Sequence, residues 1–132
     1  MNTITIILEK SADFYDAYSE EIKGIYGAGA SIDEVKADVE KSIAEIKANC
    51  AEEDIPEALK GEYELQYKLD PASFIEYYAS LMSLSGLERI TGINQKQLSN
   101  YLNHRAKPRE KQLERIRTGL RSFAHEMLTL TL

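Results

Sequence analysis

Residues 85–108 of the chain read SGLERITGINQKQLSNYLNHRAKP, and their spacing predicts a helix, a tight turn and a second helix. Gly92 stands where the first helix must stop, because glycine enters the left-handed backbone region that other residues resist. Asn94 follows as a helix-starting residue, and with Gln97 it predicts a capping-box-like pair. Leu98, Tyr101 and Leu102 then fall on one side of the second helix, leaving Gln95, Lys96, Ser99, Asn100 and Asn103 on the other. Such a face suits base edges, since Gln and Asn pair bidentately with adenine and Lys with guanine. The stretch therefore predicts a DNA-reading helix-turn-helix whose second helix enters the major groove. Gln95, Lys96, Ser99, Asn100 and Asn103 are its candidate base-reading residues; Gln97, Arg105, Lys107, Arg109 and Lys111 are its candidate phosphate contacts. Glu88 departs from the pattern, because a small residue in its place usually lets the two helices approach, and it predicts an altered angle between them.

Charge divides the 132 residues in two. Residues 1–70 carry seven Lys and seventeen Asp or Glu, a formal −10; residues 71–132 carry nine Lys or Arg against five acids, a formal +4; together these return the net −6. A basic half can approach a phosphate backbone, whereas the acidic half is repelled by it and suits a basic partner. Two domains of this size each bury little apolar surface, so self-association is expected. The single cysteine, Cys50, excludes an intramolecular disulfide, points to a reducing compartment and is expected to be packed. The apolar run Ile4 to Leu8 is too short for a signal peptide and nothing is long enough to span a membrane, so a cytoplasmic location is expected.

Outward toward the amino terminus, the acidic half predicts four strands and a helix. Thr3 to Glu9 is rich in β-branched residues. Phe14 to Ser19 and Ile25 to Ala28 complete an expected antiparallel meander, with Gly24 and Gly27 marking a turn. Ser31 and Glu34 form a capping box ahead of a helix with apolar positions at Ile32, Val35, Val39, Ile43, Ile46 and Cys50. Ala51 to Gly61 is acidic, broken by Pro56, and reads as a loop with a short helical turn. Glu62 to Asp70 alternates, with Tyr63, Leu65, Tyr67 and Leu69 on one face, and reads as a fourth strand.

Asp70-Pro71 marks a boundary, since Asp caps helices and Pro is favoured at their first position. The helix after it has Phe74, Tyr77, Tyr78 and Leu81 as its stripe. Beyond the loop His104 to Lys107, Pro108 is expected to open a final helix with Leu113, Ile116, Leu120, Phe123, Met127 and Leu130 on one face. The distal part of that stripe reads either as a dimer contact or as core.

Glu9, Asp13, Asp16, Glu20 and Glu21 cluster in sequence, but charged strand edges are common and Thr3 to Leu8 offers no carboxylate inside the sheet. His104 and His125 lie apart from one another and from Cys50, no serine sits in a nucleophile elbow, and GAGA at 27–30 lacks the lysine and spacing of a phosphate loop. The chain is therefore read as non-enzymatic, with no metal and no cofactor.

Residues 7–43, ILEKSADFYDAYSEEIKGIYGAGASIDEVKADVEKSI, resemble the HicB antitoxin family, and residues 74–108 are similar to the Cro/repressor-type helix-turn-helix found in many of its members. The resemblance implies an α+β fold: a partial RNase H-like domain of order β-β-β-α-β over 1–70 and an all-α helix-turn-helix domain over 71–132. It further implies a type II antitoxin. The amino-terminal domain would bind and block a small basic HicA-like mRNA-cleaving toxin, with Glu9, Asp13, Asp16, Glu20 and Glu21 as candidate contacts, and the carboxy-terminal domain would bind operator DNA as a homodimer or higher homo-oligomer. The alternative is a free-standing transcriptional regulator whose amino-terminal domain senses a small molecule or serves assembly.

Overall fold

A computed structural model describes residues 1–132, which form two compact units, Met1–Asp70 and Pro71–Leu132. The architecture is α+β, with one four-stranded mixed sheet and four helices. No helix is long and apolar enough to cross a membrane.

In the first unit β1 (Asn2–Ser11), β2 (Phe14–Ser19) and β3 (Tyr26–Gly29) pair antiparallel, and β4 (Tyr63–Lys68) returns beside β1 in parallel, giving the order β3-β2-β1-β4. The third strand runs from Tyr26 to Gly29, one residue later than its sequence suggests, with Ile25 wholly buried just before it. α1 (Ile32–Asn49) crosses one face and buries Val35, Val39 and Ile43 against Ile4, Ile6, Leu8, Tyr15 and Ala17. Each such buried aliphatic side chain contributes about 1.5–3 kcal/mol. The β3 backbone lies directly on this helix: a Cβ on Gly27 would stand 2.6 Å from Val39 Cγ2, and one on Gly29 would stand 2.7 Å from Glu34 Cβ. The glycines of GAGA thus serve a close approach of strand to helix.

The start of α1 is capped as expected, with the Glu34 N–H donating to Ser31 Oγ at 3.2 Å, while the Glu34 carboxylate reaches back to the Ala30 N–H at 2.8 Å. Its other end corrects the reading of Cys50, which is the exposed C-cap rather than a packed residue. Two 3-10 turns, Glu52–Asp54 and Glu57–Leu59, fill the following loop, and Leu59 seals the core.

In the second unit α2 (Pro71–Thr91) is broken at Ser83, whose φ of 67° and ψ of 162° interrupt the helix. Ser83 Oγ accepts the Gly86 N–H at 3.0 Å and so caps the second segment. α3 (Gln95–Leu102) and α4 (Glu110–Thr129) follow. Ile75, Leu87, Ile93, Leu98, Tyr101 and Ile116 form the core. Two expectations fail here. Leu81 lies 64% exposed, since the inward side of its segment runs through Ile75, Tyr78, Ala79 and Met82. The last helix begins at Glu110 with Arg109 as N-cap, so Pro108 precedes it. Gly119 lets α4 cross against the end of α2, where an added Cβ would meet the Ile90 carbonyl oxygen and approach Thr91 Cα to 2.9 Å.

Candidate nucleic-acid interface

The end of α2, the turn and α3 are fastened by a short chain of hydrogen bonds. Gly92 has φ of +74°, and its N–H donates to Glu88 O at 2.8 Å, ending α2. The buried Thr91 hydroxyl donates to Leu87 O at 2.7 Å and accepts the Ile93 N–H at 3.2 Å, carrying the chain around the corner with its polar groups satisfied. Ile93 then points into the core.

Asn94 caps α3 through Oδ1, which accepts the Lys96 N–H at 2.7 Å, but the reciprocal half of the expected capping box is absent. Gln97 Oε1 instead accepts from Asn100 Nδ2 at 3.3 Å. The second capping bond comes from Glu88, whose Oε1 accepts the Gln95 N–H at 2.7 Å. The residue that breaks the usual pattern thus spans the two helices by a hydrogen bond.

Leu98 and Tyr101 bury the inner side of α3, and Gln95 and Lys96 stand exposed at its start. Asn100 and Ser99 are half-buried further along. Asn103 has the least freedom to read a base, because its Nδ2 donates to Ser99 O at 2.9 Å and to Ser99 Oγ at 3.2 Å. It therefore closes the helix instead of projecting from it. His104 follows with φ of 60°, and the N–H groups of Arg105 and Ala106 donate to Asn100 O at 2.8 and 3.3 Å.

Arg105, Lys107, Arg109 and Lys111 are exposed along the loop and first turn of α4 and take part in no ion pair. Arg117 differs. Its hydrogen bonds to Glu110 at 2.9 Å and Glu114 at 3.2 Å push its already high pKa up further and neutralise it locally. Arg115, which sequence reasoning did not single out, donates from Nη2 to Gly92 O at 2.6 Å and from Nη1 to Gln112 Oε1 at 3.3 Å, tying α4 to the turn. Arg115 directly precedes the core residue Ile116, and nothing in its residue type or spacing signalled this bond.

In the acidic unit the five candidate carboxylates do not form one cluster. Glu9 and Asp16 are direct cross-strand partners on the sheet face opposite α1. Asp13 lies in the β1–β2 turn, and Glu20 and Glu21 follow β2. Glu21 Oε1 accepts the Thr5 N–H at 3.2 Å. Across the same face Tyr26, Tyr18, Ile7 and Lys68 stand in register, with Tyr26 65% exposed. Tyr18 donates its hydroxyl proton to Glu9 at 3.2 Å. Its pKa is raised by partial burial first, then by that hydrogen bond and the Glu9 and Glu20 charges. No three His, Cys, Asp or Glu side chains converge to hold a metal ion.

Comparison of the chain with protein-family models, with curated proteins and with solved structures returns no match.

Proposed function

We infer that the chain is an antitoxin of the HicB kind, in which the acidic unit neutralises a small basic HicA-like mRNA-cleaving toxin and the helical unit represses its own operon by binding operator DNA. The observation that carries this reading is the pairing of a −10 sheet unit with a +4 helical unit whose α3 presents Gln95 and Lys96 beside the unpaired cations Arg105, Lys107, Arg109 and Lys111. The order β-β-β-α-β and the mixed sheet agree with the partial RNase H-like fold that the sequence resemblance implies.

Neutralisation is a competition between carboxylates and phosphates for the cationic RNA-binding face of the toxin. The open sheet face offers Glu9 and Asp16 for that contact, with Phe14, Tyr18 and Tyr26 as aromatic neighbours on which guanidinium groups stack. Operator binding needs a symmetric pair of recognition helices about 34 Å apart. The distal face of α4, with Met127 59% and Leu130 75% exposed beyond Phe123, is the apolar surface that a second copy covers.

Lys96→Ala and Asn100→Ala test the division of labour. Each should abolish or relax preference for the DNA upstream of the chain's own gene and leave neutralisation of the toxin intact. Loss of neutralisation in either variant, with folding preserved, argues against it. Operator affinity should fall steeply as salt is raised, because Arg105, Lys107, Arg109 and Lys111 act on phosphates.

One observation favours the sensing regulator as a second reading. A cleft of about 510 Å³ between α1 and β4, lined by Lys36, Glu40, Ile43, Tyr63, Leu65 and Tyr67, contains the buried and unpartnered Tyr67 hydroxyl. Copurification with a small basic protein separates the antitoxin from this alternative.

A further inference from the structure

Glu88 lies one turn before the end of α2, and its carboxylate accepts the N–H of Gln95, the first residue of α3, at 2.7 Å. The adjacent N–H, that of Lys96, is taken by Asn94 Oδ1 at 2.7 Å. These are two of the free donors at the positive end of α3, the kind of group that elsewhere holds a phosphate oxygen. A DNA backbone approaching this point meets a formal negative charge in place of backbone donors. No cation offsets that charge through an ion pair, since the salt bridges of this unit join Arg117 to Glu110 and Glu114. The charge is also held in place, because Glu88 is half-buried and its carboxylate is fixed by the same hydrogen bond.

We propose that Glu88 is a specificity-determining residue of the DNA-binding surface. Its carboxylate occupies the anion position at the start of α3, so docking that relies on a phosphate there is penalised. Sequence-independent binding draws almost entirely on phosphate contacts, whereas base-edge contacts discriminate. Withdrawing one phosphate position therefore weakens binding to arbitrary DNA more than binding to a site that Gln95, Lys96 and Asn100 can read. This rests on the DNA-binding reading above and extends it, because it turns a departure from the usual small residue into a source of discrimination.

The test is Glu88→Gln in the full chain, since glutamine keeps an oxygen to accept the Gln95 N–H and removes the charge. Glu53→Gln, at an exposed 3-10 turn of the first unit, controls for net charge alone. Binding is measured by fluorescence anisotropy to a random-sequence duplex and to the DNA upstream of the chain's own gene, over a range of salt. Glu88→Gln should bind the random duplex about tenfold more tightly than the parent at low salt, with a smaller gain on the upstream DNA. Glu88→Ala, which also uncovers the Gln95 N–H, should gain at least as much on the random duplex while losing thermal stability. Glu53→Gln should change either affinity by less than about twofold. If the parent binds DNA and Glu88→Gln gains no more than Glu53→Gln on the random duplex, the proposal is overturned and the DNA-binding reading stands. If neither the parent nor any variant binds duplex DNA at low salt, the DNA-binding reading itself fails, and the role of Glu88 with it.

Discussion

Arg115 Nη2 donates to the carbonyl oxygen of Gly92 at 2.6 Å, joining the middle of α4 to the turn between α2 and α3. Glycine is needed there for its positive φ, whereas the guanidinium, 2.9 Å from where a Cβ on Gly92 would lie, is the far end of a flexible side chain and can shift. Arg115→Ala removes a charge-assisted bond from a residue that is otherwise exposed. Denaturant unfolding should show a loss of about 1 kcal/mol, with DNA affinity falling beyond that because α3 loses a support. An unchanged unfolding midpoint would show that the bond contributes nothing to the fold.

Gly119→Ala should destabilise the second unit even though alanine is the better helix former by about 1 kcal/mol. The added methyl meets the backbone of Ile90 and Thr91, which cannot yield as a flexible side chain would. A net loss of about 1–3 kcal/mol is expected, read from urea unfolding followed by helical circular dichroism. A gain in stability would mean that α4 can move away from α2 at little cost.

Glu9→Gln should separate stability from partner binding. Glu9 faces Asp16 directly across the β1–β2 pair, and like charges in that relation are destabilising. Glutamine relieves the repulsion and can still accept the Tyr18 hydroxyl. Stability should rise by about 0.5 kcal/mol while affinity for a cationic protein partner falls. Equal partner affinity in calorimetric titration would remove Glu9 from the contact surface.

Tyr18 and Tyr67 predict an alkaline limb in the stability profile. Burial raises both hydroxyl pKa values above the ordinary 10.0; the hydrogen bond to Glu9 and the Glu9 and Glu20 charges add to it at Tyr18, and the Glu40 charge adds to it at Tyr67. The folded state holds these protons more tightly than the unfolded chain. Their contribution is therefore fully present below the unfolded value and is lost as pH rises through the raised folded values. Tyrosinate absorbance should show two late-titrating groups, and replacement of either tyrosine by phenylalanine should remove one and flatten the decline in stability. A profile as steep in both variants as in the parent would assign that decline to other groups.

Much of this was legible because the two periodicities are local. Val35, Val39 and Ile43 announce a helix by their spacing, and Tyr63, Leu65 and Tyr67 announce a strand by alternation, so the β-β-β-α-β order of the first unit could be read directly. The turn at Gly92 was likewise visible from residue type. What escaped depends on contacts distant in sequence or on a single backbone choice. Ser83 lies in the run SLSG at 83–86, where serine and glycine weaken a helix, but residue type alone does not say that the break falls at Ser83. Gly119 reads as a mild helix weakener until α2 is brought against it. Cys50 continued the spacing of α1 but stands where the helix has already ended. Of the candidate site, the exposure of Gln95 and Lys96 could be anticipated, whereas the inward turn of the Asn103 amide and the bridging bond of Glu88 arise from the caps at either end of α3.

The parallel pairing of β1 with β4 also sets an order of events during synthesis. Residues 2–7 find their partners only at residues 63–68, some sixty positions later. At about 5–20 residues per second, the ribosome leaves that edge of β1 uncovered for about 3–12 s, although β2 and β3 have already emerged beside it. During that interval Ile4, Ile6 and Leu8 lie in a strand with one open side, the arrangement most prone to pairing with a neighbouring nascent chain. The strand that closes the sheet is also the last segment before Pro71, so the aggregation-prone period of the first unit ends only once that segment has left the ribosome, with translation of the second unit already under way.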